Sequence, residues 1–302
     1  MMSARFLTVV LERAFNMRDG FGREIDYMRI SVIDSCNLNC YYCNPCDNNE
    51  HCHALNILSV KEVLGIVRAA TRLGIKHFRL TGGEPLLHPQ LDEMVLQIKK
   101  IPGVSSVSLT TNAVLLAQHA KWLKEAGIDS INVSLDTIDA SEYERITKKP
   151  LLEEAKHGIN AAIECGIRVK INVVLTPQTD VVALTRYVAK KGTDIRFIEM
   201  MPVGEGHTNG VEPYKKVIGT LSKLYGEPCR INTEKTKEIN SGNDKRKIPD
   251  NGPAEYYIFP ELGIRVGLIQ AIHGKFCDTC NRIRVTADGR LMPCLGSSVT
   301  MD

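Results

Sequence analysis

Cys36, Cys40 and Cys43 stand in a C-x-x-x-C-x-x-C spacing directly after a run of strand-forming residues. Three thiolates on one loop can hold three irons of a 4Fe-4S cube and leave the fourth iron open. A structural zinc site is the alternative, and it would recruit a fourth ligand such as Cys46. A second triplet, Cys277, Cys280 and Cys294, lies near the other end of the chain, in and just beyond the block Cys277-Asp278-Thr279-Cys280-Asn281-Arg282-Ile283-Arg284. Here too a cluster or a zinc ion fits, the zinc taking His273 as its fourth ligand. Cys46, His51, Cys52 and His53 decorate the first loop and read as surplus surface residues before they read as a further zinc site. Cys165 and Cys229 read as buried or incidental thiols.

The segment Thr81-Gly82-Gly83-Glu84-Pro85 is the other chemical signal: two glycines let backbone approach a ligand closely, beside one carboxylate at the rim. What must position these groups is an alternation of elements. Runs rich in β-branched residues at Tyr27 to Ile33, Lys76 to Leu80, Val104 to Thr110, Ser130 to Leu135, Arg168 to Leu175 and Asp194 to Glu199 predict strands. Between them, Val60 to Leu73, Leu91 to Ile98 and Leu152 to Ile163 carry apolar residues at helical spacing. Strand and helix alternating in this way imply right-handed β-α-β crossovers, hence a parallel sheet or partial barrel whose site lies at the carboxyl ends of its strands. After Met201 come a Gly-rich loop with His207, a helical stretch near Val211 to Tyr225, a polar segment from Glu234 to Gly252 and a hairpin at Tyr256 to Phe259 and Ile264 to Ile269. Phe6 to Val10 reads as part of a short leading helix.

Composition narrows the functions. With 38 Lys plus Arg against 35 Asp plus Glu in 302 residues, the net charge of +3 lacks the basic excess of a dedicated nucleic-acid binder. No run approaches the ~20 apolar residues of a membrane span. Clustered cysteines in a chain long enough to bury a core point to metal or cluster binding in a reducing cytoplasm, not to a disulfide framework.

On the first cysteine triplet and Gly82-Gly83-Glu84-Pro85, the chain resembles the radical S-adenosylmethionine (SAM) superfamily. The second triplet with Asn281-Arg282-Ile283-Arg284 narrows the resemblance to the GTP 3′,8-cyclases of molybdenum cofactor biosynthesis. Supporting blocks are Asp19 to Arg23, Thr110-Thr111-Asn112, Ile131 to Asp136, Lys170 to Val174 and Arg196 to Glu199. The resemblance implies an α/β partial (β/α)6 radical SAM barrel with a C-terminal second-cluster extension, divided into residues 1–226 and 227–302. It implies two 4Fe-4S clusters, on Cys36, Cys40 and Cys43 and on Cys277, Cys280 and Cys294. SAM would contact Tyr42, Gly83, Glu84, Ser134 and Met201, and GTP would be held by Arg29, Arg79, Thr110, Lys170, Arg282 and Arg284. In that family a 5′-deoxyadenosyl radical takes hydrogen from ribose C3′, and the carbon radical attacks guanine C8 to give (8S)-3′,8-cyclo-7,8-dihydroguanosine 5′-triphosphate. An electron donor such as flavodoxin or ferredoxin and a downstream cyclic pyranopterin monophosphate synthase are the implied partners, and a homodimer stays open. The chain departs from the family in Ala113, where glycine is usual, and in a tail, Leu295 to Asp302, without the family's terminal pair of glycines. Two alternatives remain: a radical SAM enzyme acting on another nucleotide or a peptide, and a non-enzymatic zinc or cluster protein.

Overall fold

All six expected strands form, as β1 (Tyr27–Ser31), β2 (His77–Thr81), β3 (Ser106–Thr111), β4 (Ser130–Ser134), β5 (Val169–Val174) and β6 (Asp194–Ile198), each parallel to the next. The computed structural model describes residues 17–43, 56–202, 207, 210–231, 252–296 and 299–301. The leading helix, Cys46, His51, Cys52, His53 and nearly all of the polar segment lie outside these. The crossovers are helices α1 (Val60–Arg72), α2 (Leu91–Lys99), α3 (Leu116–Glu125), α4 (Ala140–Thr147), α5 (Leu152–Glu164) and α6 (Val181–Lys190), and α7 (Gly219–Tyr225) follows β6. Helix α1 begins in a capping box: Ser59 accepts from the Glu62 amide, and Glu62 accepts in return from the Ser59 amide at 2.8 Å. Among the described residues no helix is long and apolar enough to cross a membrane.

The C-terminal region extends both edges of this sheet. The expected hairpin, β8 (Glu255–Ile258) and β9 (Arg265–Ile269), pairs β9 in parallel with β6, and β7 (Cys229–Ile231) closes that edge. Arg282 and Arg284, whose i, i+2 spacing predicts one shared face of an extended loop, lie instead on a strand, β10 (Arg282–Val285). It pairs in parallel with β1 and carries β11 (Leu291–Met292) on its far side. The reason is that Ile283 and Val285 alternate with the arginines and are buried, so one face of the segment joins the core. The result is an open sheet in the order β11-β10-β1-β2-β3-β4-β5-β6-β9-β8-β7.

The two faces of this sheet differ in chemistry. Toward the helices point Met28 and Ile30, Phe78 and Leu80, Val107 and Leu109, Ile131 and Val133, Ile171 and Val173, and Ile195 and Phe197, all buried. The alternate positions carry Tyr27, Arg29, His77, Arg79, Ser108, Thr110, Asn132, Ser134, Lys170, Asn172 and Arg196. Parallel strands are normally apolar on both faces, so a polar inner face marks a ligand surface.

Two glycines separate packing from propensity. A Cβ on Gly158 of α5 would collide with the Ala113 carbonyl oxygen, because α5 lies directly against the β3–α3 turn, whereas Gly65 of α1 has open space around it. Ala113 itself holds φ +67°, the left-handed region that favours glycine. We predict opposite signs in denaturant unfolding: Gly65→Ala stabilises by about 0.5–1 kcal/mol, and Gly158→Ala destabilises by about 1–3 kcal/mol. A stabilising Gly158→Ala would contradict the packing of α5 on this turn.

Candidate functional site

The cysteine loop leaves the carboxyl end of β1 and is held by the turn after β2. Gly83 N–H donates to the Ile33 carbonyl and Glu84 N–H to the Ser35 carbonyl, both at 2.8 Å. A Cβ on Gly82 would strike the Ile33 carbonyl oxygen, and one on Gly83 those of Asp34 and Ser35. The glycine pair is therefore required by backbone-to-backbone approach. The carboxylate of Glu84, expected at the rim, points inward and is 1% exposed. It accepts from the Thr111 hydroxyl at 2.7 Å, the Asn112 amide at 2.7 Å and the Leu86 amide at 3.0 Å, and so ties the ends of β2 and β3 together. Asn112 continues the link, donating to Asn37 Oδ1 at 2.7 Å and approaching Cys36 Sγ at 3.8 Å.

Tyr42, on the same loop, donates to Asp136, whose other oxygen accepts from the Val174 amide at 2.7 Å. Burial pushes Asp136 up to about 6, although both hydrogen bonds favour its ionised form. Burial also pushes the Cys40 thiol up to about 12, with Asp136 and the other two cysteines adding to the effect. Thiols in such a setting ionise when a metal centre supplies positive charge. These side chains border a small cavity of about 40 Å³ lined by Leu38, Cys40, Tyr42, Asn112, Ser134 and Asp136 among others. Ser134 is exposed at the end of β4 and Met201 half-buried beyond β6, both on the same rim; Gly83 is exposed there too.

The inner face gathers cations in register. Arg284, Arg29 and Arg79 are direct neighbours across β10, β1 and β2, with Ser108 next on β3. Thr110, Asn132 and Lys170 form the following row across β3, β4 and β5. Arg79 donates to Tyr27, to the Leu109 carbonyl at 3.1 Å and to Thr110 Oγ1 at 3.4 Å. Arg29 is pulled down to about 9, by burial first and then by the charges of Arg284 and Arg79, and its Nε is shut away from solvent with no hydrogen-bond partner. Arg284 is pulled down to about 10 by burial and by Arg282. Two unit charges spaced like neighbouring strands, ~5 Å apart, repel by roughly 3 kcal/mol in an effective dielectric of about 20. An anion relieves that repulsion, and a polyanion does so for several arginines at once.

Lys170 is buried, with its Nζ 5.7 Å from the ring centre of Tyr256. Sequence reasoning gave no role to Tyr256, Asn132 or Arg196; Arg196 donates to Asn132 at 3.3 Å and is likewise buried on the inner face. Their signal was the polar member of each strand's two-residue period.

The second triplet lies beside the arginine row, on the 3-10 turn Cys277–Thr279 before β10 and just after β11. Burial alone would raise the Cys280 thiol, but the charges of Arg282 and Arg23, with hydrogen bonds from Arg282, bring it below the ordinary thiol value. Arg284 feels both Cys294 and Cys280, and Arg23 feels both Cys280 and Cys277, so the three thiols lie along one group of cations. His273, the candidate fourth zinc ligand, is instead bound through its ring Nδ1 to the buried Glu199. His207 is exposed, Cys165 packs half-buried against the core and Cys229 is exposed on β7. Among the described residues no three His, Cys, Asp or Glu side chains are grouped closely enough to hold a single metal ion, and each triplet supplies free thiols in the number that a cube with one open iron takes.

Comparison with known proteins agrees with this geometry. Residues 30–184 match the model of the Radical SAM superfamily, and residues 193–302 that of Molybdenum Cofactor Synthesis C. The chain is 37% identical over 282 residues to a GTP 3′,8-cyclase of Clostridium perfringens, covering 92% of this chain and 83% of that one. It is 38% identical over 286 residues to a GTP 3′,8-cyclase of Pelotomaculum thermopropionicum, covering 92% and 84%. Among solved structures, Streptococcus suis SuiB bound to S-adenosylmethionine aligns with a TM-score of 0.64 at 15% identity, over 92% of this chain and 63% of that one. Methylornithine synthase aligns with a TM-score of 0.53 at 16% identity, over 75% and 71%. At these identities the structures speak for the fold alone.

The buried Asp136 gives a pH-dependent prediction. Its carboxyl takes up a proton more readily in the folded chain, about 6 against 3.8, so its burial costs nothing below pH 4 and its full amount above pH 6. Asn in its place still accepts from Val174 and reaches Tyr42. Asp136→Asn should stabilise the cluster-free protein at pH 7 by about 1–3 kcal/mol and leave it unchanged at pH 4, as read by denaturant unfolding. An equal effect at both pH values would remove the carboxyl's burial as the cause.

Proposed function

Because this chain belongs to the GTP 3′,8-cyclase family within the radical SAM superfamily, we propose that it converts GTP to (8S)-3′,8-cyclo-7,8-dihydroguanosine 5′-triphosphate in molybdenum cofactor biosynthesis. The observation that carries the reading is the row Arg284, Arg29 and Arg79, side by side on the polar face of the sheet. No SAM-dependent cleavage by itself needs such a store of positive charge; a triphosphate substrate does.

The cofactors are SAM and two 4Fe-4S clusters, for which the thiol donor sets described above are suited. Bound there, the first cluster and SAM supply an electron and a primary carbon radical able to abstract hydrogen. Cys36, Cys40 and Cys43 would hold that cluster, and Tyr42, Ser134, Met201 and the backbone edge at Gly83 would receive SAM, with Glu84 fixing the turn from behind. Cys277, Cys280 and Cys294 would hold the second cluster. Arg29, Arg79, Arg282 and Arg284 neutralise the triphosphate, while Thr110 and Lys170 engage the nucleotide from the neighbouring row. The chain's contribution to rate is orientation: a primary radical is unselective in water, so the polar face must fix which carbon is presented and keep solvent away.

In this reading residues 1–226 carry the radical chemistry and residues 227–302 supply the second cluster and much of the substrate contact. A one-electron donor such as flavodoxin or ferredoxin feeds the first cluster, and the product passes to cyclic pyranopterin monophosphate synthase. Reduced clusters suit the cytoplasm.

Two outcomes test the assignment. In the anaerobically reconstituted protein, Arg282→Ala with Arg284→Ala weakens GTP binding by roughly 10–100-fold or more, from the loss of charge-assisted hydrogen bonds, while iron content stays at the wild-type level. Arg29→Met weakens GTP binding similarly, yet stabilises the GTP-free protein by about 1–3 kcal/mol because a crowded charge is gone. Unchanged GTP affinity in these variants, measured by equilibrium dialysis, would remove the triphosphate role.

A further inference from the structure

Among the described residues three arginines act on the second cysteine triplet, and two of them are neighbours on one strand, Arg284 in the arginine row and Arg282 beside Tyr27. Arg282 and Arg284 lie on β10 and run in register with β1. The third, Arg23, comes from the opposite end of the chain and pairs with Asp19. Its Nε donates to Asp19 Oδ2 at 2.6 Å, and its Nη1 donates to the Cys277 carbonyl at 2.8 Å, across 254 residues of sequence. Asp19 is itself fixed, since its Oδ1 accepts from the amides of Phe21 and Arg23 at 3.0 Å each. The Asp19 amide in turn donates to the Arg23 carbonyl at 3.1 Å. The turn is thus closed on itself, with one free function: to present a guanidinium to the first ligand of the second cluster. The neighbouring connection is equally short, because the Tyr27 amide donates to the Asn281 carbonyl and Asn281 donates to Asp26 at 2.6 Å.

From this arrangement we infer that the Asp19–Arg23 pair positions the second cluster and sets its reduction potential. The inference rests on the reading that Cys277, Cys280 and Cys294 hold a 4Fe-4S cluster. The surroundings of the two triplets differ in sign. The first faces the carboxylates of Asp136 and Glu84, and the second faces Arg23, Arg282 and Arg284. Cluster potentials follow local net charge and hydrogen bonding. The second cluster therefore sits at the higher potential of the two, and Arg23 with Asp19 forms its adjustable component: a positive charge fixed toward the ligand loop, with its counter-charge on the far side. Arg23 is a positioning residue, because its contact is with the backbone of a ligand and not with substrate.

The pair allows a test with two opposite signs. In full-length, anaerobically reconstituted protein, each cluster's midpoint is followed by EPR during reductive titration. Arg23→Gln keeps an amide donor for the Cys277 carbonyl but removes the charge, leaving Asp19 uncompensated. The second cluster should shift about tenfold toward its oxidised form, equal to about 59 mV for one electron. Asp19→Asn keeps the amide-accepting oxygen and leaves Arg23 uncompensated, so the same cluster should shift by a similar factor toward its reduced form. The first cluster should not move in either variant. Loss of the second cluster's iron in Arg23→Gln, with the first retained, also supports the positioning role. Two clusters whose midpoints stay where they are in the unsubstituted protein, or move together, overturn the inference alone. Iron for a single cluster in the unsubstituted protein overturns the two-cluster reading as well.

Discussion

The constraint from which the site follows is that one face of a parallel sheet has been left polar. Burying polar and charged groups against an apolar layer costs several kcal/mol per group unless they find partners. Here Arg29, Arg79 and Arg284 are placed side by side, where neighbours on adjacent strands repel. The other face and the helices covering it must supply the stability that this arrangement withholds. Fully buried Phe78, Leu80, Leu109, Ile131, Val133, Ile171 and Phe197 do so, packed against α1 to α6. A sheet divided in this way is stable as a scaffold and unsatisfied as a surface, which is the condition for binding a highly charged ligand tightly.

The second requirement is that a reactive centre be held at a fixed height above that surface. The structure meets it with backbone contacts. Gly82 and Gly83 lie flush against the carbonyls of residues 33–35, and Glu84 gathers three donors from the β2 and β3 ends. Loops supported in this way lose little freedom when a ligand binds, so more of the binding energy is available for orientation. The C-terminal region does the same from the other edge: β10 brings Arg284 into the row, Arg282 next to Tyr27, and the second thiol group beside them.

Much of this was legible in the sequence, and the reasons are specific. The six strands were visible because their buried positions are apolar and mostly β-branched or aromatic, and the cysteine spacings stand out against any background. The extended face shared by Arg282 and Arg284 was read from their i, i+2 spacing; that they lie on a strand was not, since a four-residue segment acquires its identity only from pairing with β1. The inward turn of Glu84 was equally invisible, because its three donors come from residues 86, 111 and 112, two of them at the end of β3. Asp136, Arg196 and Tyr256 were hidden for a related reason: a single polar residue in a strand or just past its end looks the same whether it faces water or a ligand. The Asp19–Arg23 turn carried a recognisable pattern, but its partner lies 254 residues away.

The central claim is that the polar face presents the ribose of GTP to a radical generated at the first cysteine loop. The most direct measurement uses GTP deuterated at C3′ with the reconstituted, reduced protein and SAM, and follows deuterium in the released 5′-deoxyadenosine by mass spectrometry. The account predicts deuterium in 5′-deoxyadenosine together with a cyclised nucleotide that has lost it. Formation of 5′-deoxyadenosine without deuterium, at the same rate with or without GTP, would contradict it.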